Sequence, residues 1–258
     1  MLEKIIKKTA ERIKSSKQSI SLEDMKNRAL ALNKDTGFPF LAALKSKELS
    51  FICEVKKASP SKGIIAHDFP YIEIAGKYEK AGASAISVLT EPDFFMGDNS
   101  YLTDIGKNVW IPLLRKDFIV DEYMIYESKV IGADAILLIC ALLAPETLKQ
   151  YLELSHSLGM SALVEAHDEA EVNMAIDAGA KIIGVNNRNL KTFEVDISNS
   201  AQLKKLIPED VIFVSESGIR DRNDIEYLVK NGADAVLIGE TLMKSRDIEE
   251  ALGILKGN

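Results

Sequence analysis

The sequence predicts an α/β fold, a (β/α)8 TIM barrel with extra helices at its N-terminus. Three observations carry this expectation. First, four segments share one pattern: Ala81-Gly-Ala-Ser-Ala-Ile-Ser-Val-Leu, Ile131-Gly-Ala-Asp-Ala-Ile-Leu-Leu-Ile, Ala178-Gly-Ala-Lys-Ile-Ile-Gly-Val and Asn231-Gly-Ala-Asp-Ala-Val-Leu-Ile-Gly. Their glycines, Gly82, Gly132, Gly179 and Gly232, recur roughly every 50 residues, and each segment reads as a helix end, a glycine cap and a short buried strand. Second, four other apolar runs lie between them: Phe51-Ile-Cys-Glu-Val-Lys, Pro112-Leu-Leu-Arg-Lys, Ser161-Ala-Leu-Val-Glu and Val211-Ile-Phe-Val-Ser-Glu. Third, helical patterns separate consecutive runs, as in Glu146 to Leu158 and Asp221 to Lys230. Eight strands alternating with helices, at about 25 residues per unit, fit a closed barrel. An open doubly wound sheet is the runner-up. It usually shows a glycine-rich phosphate turn after its first strand, and neither G-x-G-x-x-G nor G-x-x-x-x-G-K-[ST] occurs here.

The N-terminal stretch differs from the rest. Leu2, Ile5, Ile6, Thr9 and Ile13 fall near helical spacing, with lysines and glutamates between them. Residues 21–32 open on Ser-x-x-Asp, a helix-cap signature. Two helices are expected before the first strand. No linker rich in Gly, Ser or Pro follows them. Residues 1–258 are therefore read as one domain, with residues 1–48 forming a helical extension packed on the barrel.

Composition narrows the function. Of the 258 residues, 47% are apolar and 28% charged, enough for a large core in a soluble globular protein. A net charge of −7 argues against a general nucleic-acid binder, which needs a basic surface. The longest apolar run, Ala135 to Ala144, is too short to span a bilayer, and the charged N-terminus has no signal-peptide core. Cys53 and Cys140 form neither a metal-ligand pattern nor a disulfide framework, and a reduced, cytoplasmic protein is expected.

Charges at strand ends carry the chemistry. Strands of a parallel barrel have apolar interiors, and the active site of this fold is built at their C-terminal ends. Strand 1 carries Glu54 and Lys56; strand 3 ends in Lys116, strand 5 in Glu165 and strand 7 in Glu216; strand 6 leads into Asn186-Asn187-Arg188. Side chains alternate faces, so Glu54 shares a face with Lys56, Leu114 with Lys116, Leu163 with Glu165 and Val214 with Glu216. If that face is the interior, three carboxylates and two ammonium groups converge at one mouth. A solvated strand end explains any one of them, but five at equivalent points of four strands argue for a site. An ion-pair network that merely closes the mouth stays open as an alternative. Arg115 has the opposite phase to Lys116 and is expected to face the helices in a structural role.

Two glycine turns follow the last strands, Glu216-Ser217-Gly218-Ile219 and Ile238-Gly239-Glu240-Thr241. These loops are the usual phosphate site of the barrel, with residues 240–244 as the short helix. The expected donors are the N–H groups of Gly218, Gly239 and Glu240 and the hydroxyls of Ser217 and Thr241, with the Glu240 carboxylate turned away from the anion. Ordinary strand-to-helix turns are the plain alternative. In the loop 57–63, Ser59, Ser61 and Lys62 can meet an anion. Phe94 and Phe95, in the loop after strand 2, suggest a lid over an aromatic substrate or a local core, and Phe118 is similar. His67 falls in a loop, His156 in a polar part of a helix, and His167 two residues past Glu165 has no partner at metal-ligand spacing. A surface or supporting role is expected for His167.

Taken together, Glu54-x-Lys56-x-x-Ser59-Pro60-Ser61, Ser87-Val-Leu-Thr-Glu91, Lys116-Asp-Phe118, Leu163-Val-Glu165, Gly184-Val-Asn186-Asn-Arg188-Asn-Leu190, Ser215-Glu216-Ser217-Gly218-Ile219 and Leu237-Ile-Gly239 resemble the indole-3-glycerol phosphate synthase family. The resemblance covers nearly the whole chain. It implies a (β/α)8 barrel of tryptophan biosynthesis that turns 1-(2-carboxyphenylamino)-1-deoxyribulose 5-phosphate into indole-3-glycerol phosphate, CO2 and water, with no metal and no organic cofactor. By the same resemblance, Lys116 is the general acid of ring closure and Glu165 the general base or stabiliser of the intermediate. Glu54 and Lys56 serve dehydration and hold the anionic substrate, while Asn186 and Glu216 position it. Ser59 and Arg188 face its carboxylate; Ser217, Gly218 and Gly239 hold its phosphate; Phe95, Phe118, Leu137 and Leu190 line the aryl pocket. The chain departs from the family pattern in Gly97-Asp98 where Gly-Ser is common, in a loop at 67–71 that is one residue short, and in Asn189 for a frequent Asp. The expected partner is a phosphorylated small molecule, with no nucleic acid and no membrane, and the expected state a monomer.

Two rivals are weighed. Phosphoribosylanthranilate isomerase would use a strand-1 cysteine as base, but Cys53 has the opposite phase to Glu54 and Lys56. A non-catalytic phosphosugar-binding barrel would need only the anion sites and leaves the acids and bases unexplained.

Overall fold

A computed structural model describes residues 2–189 and 192–257 of the chain. Eight parallel strands close into a barrel: β1 (Ser50–Val55), β2 (Ala85–Leu89), β3 (Leu113–Lys116), β4 (Ala135–Ile139), β5 (Ser161–Ala166), β6 (Ile182–Asn186), β7 (Ile212–Glu216) and β8 (Ala235–Ile238). Each pairs with its sequence neighbours, and β1 pairs with β8 to complete the ring, with Ser50 opposite Ala235 and Cys53 opposite Ile238. Nearly every strand residue is buried, as a parallel sheet covered on both faces requires. The four repeat glycines sit just past helices at positive φ, which is the cap the pattern predicts. Among the described residues, no helix is long and apolar enough to cross a membrane.

Alternation divides the apolar residues into two layers. Phe51, Cys53, Val55, Ile86, Val88, Ile136 and Leu138 pack outward against the helices. Ile52, Leu114, Leu137, Leu163, Val214 and Leu237 fill the barrel. The inward charges lie at the C-terminal ends of the strands.

The N-terminal extension contains three helices, α1 (Leu2–Ser19), α2 (Leu22–Leu30) and α3 (Pro39–Leu44), not the two expected. Ser21 caps α2 as predicted, its Oγ accepting from the Asp24 N–H at 3.1 Å. α1 buries Ile5, Thr9 and Ile13, and α2 buries Met25 and Ala29 in the outer layer. α3 goes elsewhere: Phe40 and Leu44 enter the inner layer. Ser50, the first residue of β1, donates its hydroxyl to the Ala43 carbonyl at 3.3 Å, which fixes α3 under the N-terminal ends of the strands. The extension thus plugs the floor of the barrel, while Leu2 and Ile5 of α1 reach the cavity at the opposite end.

Candidate active site

The inward side chains of β1, β3, β5 and β7 meet at the C-terminal end of the barrel, as their alternation predicts. Lys116 stands at the centre. Its Nζ lies 3.0 Å from Glu216 Oε2, 3.8 Å from Glu165 Oε2 and 3.9 Å from Glu54 Oε1. Lys56 pairs closely with the other oxygen of Glu54. All three carboxylates are buried. They surround the wall of a cavity of about 680 Å³ whose lining includes Lys56, Ser59, Asn186, Arg188, Ser217, Gly218, Gly239 and Glu240.

The three acids sit in different electrostatic settings. Burial alone pushes each one up, because a buried carboxylate loses its hydration. At Glu54 the neighbouring Lys56 and Lys116 outweigh burial and hold the acid below its ordinary value. At Glu165 burial is again outweighed, by His167 and Lys116 with a further contribution from Asn186, and the net direction is downward. At Glu216 burial wins, reinforced by repulsion from Glu165 and Glu54, and the acid is raised despite its contact with Lys116. Glu216 Oε1 is buried and has no hydrogen-bond partner among the described residues, which makes its charged form costlier still. Burial lowers Lys116, but the surrounding carboxylates reverse this and keep it an ammonium ion well into the alkaline range.

The room for this cluster comes from glycines. A Cβ at Gly184, on β6, would collide with Glu216 Oε1, and one at Gly239 would stand 2.5 Å from Glu54 Oε2. Gly184 and Gly239 therefore shape the acid sites, and Gly239 does so besides its expected place beside an anion.

The turn after β7 runs through two consecutive left-handed residues, Ser217 at φ +68° and Gly218 at φ +86°. For serine that conformation is strained. Asn187 braces it by donating from Nδ2 to the Ser217 carbonyl at 3.1 Å and to Ser215 Oγ at 3.0 Å. The short helix after β8 spans Glu240–Met243. One expectation for this turn needs correcting. The Thr241 hydroxyl donates to the Ile219 carbonyl at 2.5 Å, tying the two loops together, so its proton is not free for a phosphate. The Glu240 carboxylate faces cations of the mouth. It lies 2.6 Å from Lys244, 3.5 Å from Lys62 and 4.0 Å from Arg188.

The apolar part of the cavity joins Leu137 on β4 to Phe95 and Phe118, whose rings lie 6.0 Å apart. Phe95 is held by Glu91, which caps a single helical turn (Pro92–Phe95) by accepting from the Asp93, Phe94 and Phe95 N–H groups. Leu190 lies outside the described residues.

Further residues surround the site, and of these Asp117 was not singled out by sequence. Asp117, between Lys116 and Phe118, accepts from Arg12 of α1 at 2.8 Å, from the Phe118 N–H at 2.8 Å and from Thr90 at 2.9 Å. Its signal was the strand period, which puts it on the face of Arg115, the structural arginine. Arg115 is buried among Thr90, Asn99, Glu127, Ser128 and the Met124 carbonyl, outside the barrel as expected. His167 plays the supporting role: its Nε2 stands 3.2 Å from Glu165 Oε1. His156 is half-buried with its ring edge-on to Phe38, less polar in setting than its helix suggested. Among the described residues, no cluster of His, Cys, Asp and Glu is arranged to hold a metal ion.

Comparison with known proteins matches this sequence to a family. The sequence model described as indole-3-glycerol phosphate synthase matches residues 2–255. The chain belongs to the indole-3-glycerol phosphate synthase family. A relative of that name from Ruminiclostridium cellulolyticum is 57% identical, covering 100% of this chain and 99% of its own. One from Endomicrobium trichonymphae is 57% identical over 99% of both chains. Among solved structures, 3-hexulose-6-phosphate synthase from Salmonella typhimurium superposes with a TM-score of 0.62 at 14% identity, over 81% of this chain and 97% of its own, a likeness of fold alone.

Two residues that depart from the expected indole-3-glycerol phosphate synthase pattern make local hydrogen bonds. Asp98 caps the helix Asn99–Gly106, with Oδ1 accepting from the Ser100 N–H at 2.7 Å, as a serine hydroxyl also can. Asn189 Oδ1 accepts from the Thr192 N–H at 3.1 Å, a bond that needs only the oxygen Asp and Asn have in common.

Proposed function

We propose that this chain closes the indole ring of 1-(2-carboxyphenylamino)-1-deoxyribulose 5-phosphate, releasing CO2 and water and forming indole-3-glycerol phosphate. One observation carries the reading: an ammonium group, Lys116, centred among three buried carboxylates from three strands at one barrel rim. Ring closure needs a proton for the ketose carbonyl oxygen as the aryl carbon attacks it, and Lys116 supplies it. Loss of CO2 leaves its electron pair in the ring. Dehydration needs one group to protonate the departing hydroxyl and another to take a proton from the ring system. Glu165 and Glu54, held ionised, are the bases. Glu216, raised by burial, keeps its proton to higher pH and is suited to donate or hold a hydrogen bond. Carboxyl groups pushed in opposite directions within one site let acid and base work coexist.

The substrate is anionic at both ends. Ser217, Gly218, Gly239 and the Glu240 N–H face its phosphate at the β7 and β8 turns; Ser59, Lys56 and Arg188 face its carboxylate. Asn186 orients Glu165, and Phe95, Phe118 and Leu137 enclose the aryl ring, an apolar body between polar anchors. The isomerase alternative lacks its base: Cys53 packs among the outer apolar residues, and burial pushes its thiol far above the ordinary range. The test is the appearance of indole fluorescence on mixing purified protein with the carboxyphenylamino ketose phosphate. Tight binding of that compound without turnover favours the phosphosugar-binding alternative.

A further inference from the structure

His167 is the loop residue directly after β5, yet its ring is fixed from both sides. On one side, Nδ1 lies 2.8 Å from Glu171 Oε2, and the same oxygen accepts from the His167 backbone N–H at 2.8 Å. Glu171 is itself held in the first turn of the helix Glu169–Asp177, where Asp168 Oδ1 accepts from its N–H at 2.9 Å. On the other side, Nε2 approaches Glu165 Oε1 at 3.2 Å, an ion-pair contact rather than an aligned hydrogen bond. The His167 carbonyl accepts from Asn199 at 3.2 Å.

The three side chains form a carboxylate–imidazole–carboxylate line that ends at the cavity. We propose that His167 is a positioning residue: clamped on Glu171, its imidazolium holds Glu165 as an anion with its second oxygen turned to Lys116. This rests on the reading of Glu165 as the base of the proposed reaction.

The chemistry of the line supports it. A neutral imidazole has one N–H and can satisfy one carboxylate, whereas an imidazolium has two and can face both. The charged groups against the ring are acidic. Glu165 comes from β5, and Glu171 and Asp168 from the helix and its cap. The turn at Cys140–Leu142 adds only a thiol, Cys140, which donates to the Glu171 carbonyl and is pushed up to about 12 by burial. Lys116 lies beyond Glu165, and Glu216 beyond Lys116. Burial lowers His167, but its two carboxylate partners raise it to about 10, so the ring stays charged at neutral pH. Glu171 does for His167 what a second acid commonly does for a histidine in an active site: it fixes which nitrogen faces the reacting group.

The test compares His167→Gln, Glu171→Gln and Glu165→Gln with the wild type, reading kcat and KM against pH by product fluorescence. Glutamine keeps a donor but removes the charge. The expected result for His167→Gln is kcat about 10-fold lower near pH 7, an acid limb moved upward by ~1 pH unit or more, and KM within about threefold. Glu171→Gln moves the limb the same way by less. Nitrogen NMR of the wild-type ring, which needs no variant, is expected to show both nitrogens protonated at pH 8. An unmoved acid limb in His167→Gln, or a neutral wild-type ring at that pH, overturns the proposal whatever happens to Tm. Glu165→Gln separates the two levels. If it turns over normally, the reading of the site fails; if it is crippled while His167→Gln keeps the wild-type profile, only the role of His167 fails.

Discussion

Lys116 keeps its charge in a place where an isolated amine would shed it, because each of its neighbours on three other strands is a carboxylate. In the proposed reaction the arrangement suits the residue to donate a proton and positive charge, and it leaves no neutral amine to act as nucleophile or base. Replacing Lys116 by Ala removes both the proton and the charge. We expect kcat to fall by at least ~10²-fold, the usual scale for a general acid, with a smaller change in KM. Steady-state kinetics by product fluorescence read this directly, and near-wild-type turnover refutes the role. At this scale the period of two made Glu54, Lys56, Lys116, Glu165 and Glu216 legible, because it fixes a face once a strand is located. Gly184 was not legible, and of His167 only a surface or supporting role was, not its place between Glu165 and Glu171. Gly184 matters because Glu216, on the neighbouring strand, leans into the space its side chain would fill. His167 matters because it stands beside Glu165 in space, two residues on. Both facts depend on where side chains lean, which spacing along one strand does not encode.

At the scale of elements, strands and repeat helices followed from periodicity and glycine caps, while α3 did not. Its six residues, Pro39 to Leu44, are too few to display a helical period, and no side chain caps its start. Phe38 enters it in the left-handed conformation, with its N–H bonded to Thr36, whose hydroxyl donates to the Gly159 carbonyl. Tertiary contacts therefore hold the element, and local propensity does not. Phe40 is wholly buried inside the barrel floor with Leu44. Phe40→Ala should cost ~3–5 kcal/mol, the range for emptying a buried phenylalanine site. Urea unfolding measures that loss. Because the floor lies at the end opposite Lys116, kcat of the folded fraction should stay within about twofold of wild type. A loss under about 1 kcal/mol shows that α3 does not plug the core.

Across the whole molecule, a barrel mouth that buries three acids and an ammonium group makes stability depend on pH in opposing ways. Glu165 and Glu54 are lowered on folding, so their contribution is present above the ordinary glutamate value of 4.5 and is lost as pH falls. His167 rises from 6.5 to about 10; its contribution is complete below 6.5 and fades as pH climbs through 10. Glu216 is raised above 4.5, so the fold favours its protonated form, and this term weakens the protein as pH rises past that value. Removing the charge should therefore stabilise the protein where the wild type must ionise. Glu216→Gln keeps the shape and retains an acceptor for Lys116. Its Tm should exceed that of the wild type at pH 8 by roughly 2–4 °C, the shift that about 1 kcal/mol gives a chain of this size. The gap should close near pH 5, where wild-type Glu216 is already protonated. Activity should fall in the same variant, since a site strained toward function gains stability when relieved of it. Scanning calorimetry at the two pH values decides the matter: an equal Tm gain at both, or a loss at pH 8, means that the burial of Glu216 is already compensated by Lys116 and that the mouth carries no stored electrostatic cost.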